Sequence, residues 1–137
     1  MQEHKRELAL RREEIARQVF DRVRQRLIGY AETPEYPRRL AVLFQEALGP
    51  MAGGGALVLY LRPQDMTHAA ALRALARGRT VETRPGAFRL GGLILECPSL
   101  SLRADQSFDS RLDALRGHFA ALAGPALSAQ EEDSGHG

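Results

Sequence analysis

The chain has 137 residues, 44% of them hydrophobic, with 19 Lys and Arg set against 17 Asp and Glu. That length allows one modest core and is too short for two ordinary domains, and a net charge of +2, with arginines spread among acids, leaves only a weak nucleic-acid footprint. A charged start, no apolar run near the ~18 residues that cross a bilayer, and a single cysteine, Cys97, predict a soluble cytoplasmic chain without an internal disulfide or multi-cysteine zinc site.

From Glu3 to about Ala31 the chain holds no proline and one late glycine, Gly29, and mixes Glu and Arg with sparse apolar residues, which predicts a solvated helical arm. The apolar positions read along it are Leu8, Ile15, Val19, Val23, Leu27 and Tyr30. The steps of four from Ile15 to Leu27 overshoot the 3.6-residue turn, and Leu8, Val19 and Tyr30 follow an eleven-residue spacing, the hint of a right-handed stripe. Leu8, Ile15, Val19, Val23 and Leu27 are therefore the candidate partner-binding residues of the arm. The alternative is a first core helix packed on its own domain.

Pro34 and Pro37 break the arm, and Tyr36, Leu40, Leu43, Phe44, Ala47 and Leu48 mark a second helix that stops at Gly49-Pro50. The continuous apolar run Ala56 to Leu61 predicts a strand covered on both faces. A helix is expected from about Gln64 to Ala76, then a short strand at Thr80 to Thr83 and a turn at Arg84-Pro85-Gly86. Phe88 to Cys97 and Leu100 to Arg103 read as two strands meeting at Pro98-Ser99, with Leu100 and Leu102 half-buried. Phe108, Leu112, Leu115, Phe119 and Leu122 give the clearest amphipathic stripe, predicting a last helix over about Ser107 to Ala123. Beyond Gly124-Pro125 the composition is too polar to bury and predicts disorder.

The sum is an α+β fold: a helical arm at 1–31, a globular domain at 32–124 with a roughly four-stranded sheet packed by helices, and a tail at 125–137. Little in it points to chemistry. The glycines 53–55 precede a strand instead of following one, and Lys5, the only lysine, is nowhere near a phosphate loop. His4, His68, His118 and His136 are too scattered for ligand spacing, and Cys97 reads as a buried thiol. No catalytic, cofactor or metal residues are expected. At the start of the last helix, Asp105 or Ser107 can cap the helix and Asp109 favours its dipole, while Arg111 can pair with Asp105 or Asp109 or present its guanidinium to a partner.

Gly91-Gly92, an apolar strand, a turn, a second strand and then Asp105 with Phe108-Asp109-Ser110-Arg111-Leu112 resemble the end of the E subunit of V-type and archaeal-type rotary ATPases. That family closes on Val-Asp-Asn-Thr-Phe-Asp-x-Arg-Leu; here Ala104 and Gln106-Ser107 replace Val and Asn-Thr. Glu35-Tyr36-Pro37 with Leu40 and Asp65 extends the likeness over most of Arg11 to Gly124. The resemblance implies a non-catalytic peripheral-stalk subunit. Its arm would pair with a helical partner of the G or H type, and its globular domain would dock on the non-catalytic B-type head subunit, with no nucleic acid, cofactor or membrane insertion. An arm of 30 residues spans only ~45 Å, shorter than is usual in the family, as in a fragment or a short homologue. A stator-like regulator of a flagellar or type III export ATPase is the nearest alternative, and a basic nucleic-acid adaptor the alternative of another class.

Overall fold

The computed structural model describes residues 2–120, with side chains from His4 onward. Helix α1 runs unbroken over Gln2–Tyr30, as its lack of proline and wealth of Arg, Glu, Gln and Leu dictate. Thr33 ends it: its amide and its hydroxyl both donate to the Tyr30 carbonyl, at 3.0 and 2.7 Å, satisfying an orphan acceptor of the last turn. Helix α2, Glu35–Leu48, follows, and its Pro37 sits in the first turn where a missing amide costs nothing. It buries Tyr36, Leu40, Leu43, Phe44 and Ala47 on one face.

The strands are β1, Leu57–Leu61; β2, Val81–Pro85; β3, Gly92–Cys97; and β4, Leu102–Ser107. They form one sheet in the order β2-β1-β3-β4, parallel between β1 and β2 and antiparallel elsewhere. Helix α3, Ala69–Leu75, bridges β1 and β2, the crossover that a parallel pair needs. A last helix, α4, begins at residue 108 directly from β4 and continues to the end of the described residues at 120.

Leu57, Leu59 and Leu61 of β1 and Leu93, Leu95 and Cys97 of β3 point into the core, against the apolar face of α2, and all six are fully buried. The expected cover on the second face of β1 is supplied by side chains of the sheet itself and not by a second layer of helix. Val58 and Ile94, though buried, stay outside that core. They share the outer face with Tyr60, whose hydroxyl donates to Glu96, and with the Arg103–Glu96 and Arg84–Glu82 pairs. Long polar side chains lying over small apolar ones give a continuous apolar run without a second helical layer.

Four boundaries also differ from the sequence reading. The expected helix 64–76 is split into a 3-10 stretch, Pro63–His68, and α3, because Arg62 and Asp65 are held together across three residues, the repeat of the tighter helix. β2 runs through the expected turn to Pro85, tolerated since β2 is an edge strand. β3 starts four residues late, at Gly92. β4 starts at Leu102 and extends to Ser107, because Pro98–Leu100 forms a 3-10 turn closed by left-handed Ser101; Leu100 and Leu102 consequently lie at the exposed end of the ladder.

The late start of β3 has a local cause. Gly91 and Gly92 have φ of 127° and 84°, and a Cβ on Gly92 would run into the carbonyl oxygen of Gln106 on β4. Both the φ and the close approach demand glycine. Gly92→Ala is expected to cost about 2 kcal/mol or more, read as a lowered urea midpoint with an unchanged slope.

Candidate functional site

Helix α1 carries two apolar stripes with different surroundings. The inner one is Ala16, Phe20, Val23, Leu27 and Tyr30, in steps of four and three, all packed on the core. It faces the matching stripe of α4 in antiparallel register. Tyr30 lies beside Phe108 with ring centroids 6.2 Å apart, and Phe20 beside Phe119 at 5.9 Å, while the Arg116 guanidinium sits 5.4 Å above the Phe20 ring. The second stripe is Leu8, Ile15 and Val19, exposed at 43%, 58% and 49%. At ~100° per residue these three fall within about 40° of a common line, and the described residues place nothing of the core against them.

The two stripes join. Each step of four from Ile15 through Val19 and Val23 to Leu27 advances about 40° around the helix, so the line that begins in solvent winds into the space between α1 and α4. There it opens into an apolar groove of about 450 Å³ lined by Val23, Leu27 and Tyr30 of α1, Arg39 of α2 and Phe108, Arg111, Leu112 and Leu115 of α4. Of the five arm residues grouped by the sequence, Leu8, Ile15 and Val19 are thus free-standing, whereas Val23 and Leu27 are half-buried against the chain's own domain. Phe20, the one residue buried outright among the described side chains of α1, was missed. Its signal was the four-three spacing from Ala16 to Tyr30, hidden beside the steps of four.

Beneath the groove lies a buried polar hub. Tyr36 donates from its hydroxyl to Asp65 Oδ2 at 2.7 Å and accepts from the Gly92 amide at 2.9 Å. Arg62 grips both oxygens of Asp65, at 2.7 and 3.0 Å, bonds the Arg89 carbonyl at 3.1 Å, and lies 5.5 Å above the Tyr36 ring. Burial, with Asp65 next, pushes the Tyr36 phenol well above its ordinary value and keeps it protonated. The arginine and the carboxylate satisfy each other in a geometry that suits their fork-shaped groups. Each member is spent on another, so the hub works as a clamp that joins α2, the 3-10 stretch between β1 and α3, and the Gly91-Gly92 turn.

The residues of the closing motif come together as the joint from β4 to α4. Ser107 is the cap: its Oγ accepts from the Ser110 amide at 3.2 Å. Asp105 braces it, accepting from the Ser107 amide and hydroxyl at 2.9 and 2.6 Å and from the Ser110 hydroxyl at 2.6 Å. Partial burial works against the Asp105 carboxylate, and the bonds from Ser107 and Ser110 overcome it, holding its pKa below the ordinary value. A depressed carboxylate stabilises the fold above its ordinary value, and that share is lost as pH falls through the lowered one. Asp105→Asn should therefore lose stability at neutral pH and flatten the acid limb of a stability–pH curve, measured by urea unfolding between pH 7 and pH 3.

Asp109, expected to serve the helix dipole, also accepts from the amides of Arg89 and Leu90 at 3.0 and 2.8 Å, pinning the turn before Gly91. Phe108 and Leu112 are buried in the core as expected. Arg111 pairs with neither Asp105 nor Asp109; its guanidinium bonds Gln106 Oε1 at 2.6 Å and lines the groove. The motif is therefore structural apart from Arg111.

A small α+β domain braced at its joints and carrying a long helix with an open apolar line is the build of a subunit that works by assembly. The chain belongs to the ATP synthase (E/31 kDa) subunit family, whose sequence model matches residues 1–121. It is accordingly a subunit of a V-type rotary ATPase. Comparison with curated proteins gives no match.

Proposed function

We propose that the chain is a peripheral-stalk, or stator, subunit that holds the ATPase head stationary against rotor torque, so that ATP turnover is coupled to proton or sodium translocation. The observation that carries this reading is the exposed line Leu8–Ile15–Val19 on an uninterrupted 29-residue helix. Apolar residues repeating along a solvated helix favour a second helix beside it, and the right-handed drift of the line favours a right-handed pair. The partner on this reading is a helical stalk subunit of the G or H type, and the globular domain docks on a non-catalytic B-type head subunit.

The role is mechanical and non-catalytic, requires no cofactor, and places the protein on the cytoplasmic side, peripheral to the membrane through the complex. No helix among the described residues is long and apolar enough to cross a membrane, which fits a peripheral attachment. The test is mild affinity purification of the tagged full-length chain from its host's membranes, with mass spectrometry of what accompanies it. Rotary head subunits together with a small helical protein are expected. An export ATPase or nucleic acid without a rotary head would overturn the proposal.

A further inference from the structure

We infer that the helix which covers the exposed line of α1 is acidic, with Glu or Asp bordering its apolar stripe and facing Arg11, Arg22 and Arg26. The inference rests on the stator reading for the identity of that partner, and on the charge layout of α1 for its chemistry. At ~100° per residue, the half of α1 centred on Val19 holds Lys5, Arg11, Arg12, Arg22 and Arg26 and, among the described side chains, no acid. Glu7, Glu13, Glu14 and Asp21 all stand about 120° or more from Val19. Arg11 and Arg22 each follow an apolar residue of the line, Leu8 and Val19, by three positions, so an arginine row shares the eleven-residue spacing of the line. Arg26, Arg22 and Arg11 lie about 20°, 60° and 80° to one side of Val19. Ala16, Phe20, Val23 and Leu27, which pack on the core, lie to the other. The arginine row therefore borders the line on its open flank.

The groove continues the pattern, since its lining holds Arg39 and Arg111 and no carboxylate. These two and the three arginines of the row are exposed, and none of the five pairs with a carboxylate among the described residues; the Arg111 guanidinium is bonded to the neutral Gln106 amide. In a chain with 19 cations and 17 acids, this is segregation of charge and not an excess of it. A second copy is a poor occupant, because the facing halves of two such helices carry cations alone and repel. An anionic membrane surface favours an apolar sector of about 100° or more, whereas Leu8, Ile15 and Val19 fall within about 40°. A helix with a narrow apolar stripe and acidic borders matches both the width of the line and the charge beside it.

The experiment uses the full chain and two synthetic helical peptides that share one apolar stripe at eleven-residue spacing, one bordered by Glu and the other by Lys. Binding is read by fluorescence anisotropy of the labelled peptide. At low salt the Glu helix is expected to bind at least about tenfold more tightly than the Lys helix, each exposed pair contributing a factor of about two to three. The difference should shrink to less than about threefold in ~1 M salt, where charges are screened beyond ~3 Å. Arg11→Ser, Arg22→Ser and Arg26→Ser combined should remove most of the preference. Arg6→Ser, Arg17→Ser and Arg24→Ser, an equal change of charge on the other half of α1, should leave it. Equal binding of the two peptides, binding of neither, or a preference that both triple variants keep or both lose overturns the inference. Vesicles of phosphatidylglycerol that outcompete the Glu helix would assign the line to a membrane surface and overturn it too. The peptides contain nothing of a rotary ATPase, so their result is independent of the stator reading, which the purification tests. Rotary head subunits recovered there with a helical partner lacking the acidic border would keep the stator and sink this inference. An export ATPase recovered instead would overturn the stator reading and leave the charge preference as measured.

Discussion

Arg62→Ala is expected to lower the unfolding free energy by about 3–5 kcal/mol, the cost of leaving a buried carboxylate without its partner. Asp65 is almost wholly buried, and Arg62 supplies two of the hydrogen bonds to it, Tyr36 the third. Tyr36 in turn holds the Gly92 amide, so the loss spreads to the turn that sets the start of β3. The companion variant, Arg62→Met with Asp65→Leu, removes both charges and should recover much of the loss, since a buried ion pair stabilises little compared with an apolar pair of similar volume. Urea unfolding of the three proteins decides it. Equal destabilisation by the single and double changes would mean that the hub stabilises by packing of Arg62 over Tyr36 and not by its charges.

Ile15→Glu combined with Val19→Glu should weaken association with the helical stalk partner at least about a hundredfold, with little change in thermal stability. Both side chains are about half exposed in the isolated chain, so their replacement leaves the domain intact. Each would forfeit roughly 1 kcal/mol of burial, about half the value for a fully exposed side chain, and would set an unpaired carboxylate in the seam at a cost of several kcal/mol, together more than the 2.7 kcal/mol or so that corresponds to a hundredfold. Val23→Glu with Leu27→Glu makes the contrast: these positions pack on the core, and a charge there should unfold the α1–α4 seam before any partner is added. Calorimetric titration and thermal melts of the two pairs separate the faces of the helix.

That separation marks the boundary of what the sequence disclosed. The apolar faces of α2 and α4 and the strand at Leu57–Leu61 were legible, because each is written in local periodicity; the start of β3 at Gly92 was not, since it depends on the close approach of Gln106 on β4. Nor was the division of α1. Val23 and Leu27 belong both to the steps of four that begin at Ile15 and to the four-three stripe through Phe20, and only the presence of α4 alongside assigns them to the domain. The α+β class follows from the run of elements. The parallel pairing of β1 with β2 does not, since register across a sheet depends on strands far apart in sequence. The hub was missed for the same reason: Tyr36, Arg62 and Asp65 meet only after α2 has been laid over β3. Arg111 was expected to pair with Asp105 or Asp109 or to face a partner, and its bond to Gln106 could not be foreseen from helix spacing.

The most direct test of the central claim is a photo-crosslinking amino acid placed in turn at Val19 and at Leu10, in the tagged full-length chain assembled in its host. Leu10 is equally exposed but lies on the opposite side of α1. Cross-links from position 19 to a small helical subunit of the rotary ATPase, and few or none from position 10, are predicted. Equal cross-linking from both positions, or none from position 19 in an otherwise assembled complex, would contradict the assignment of this line as the stator seam.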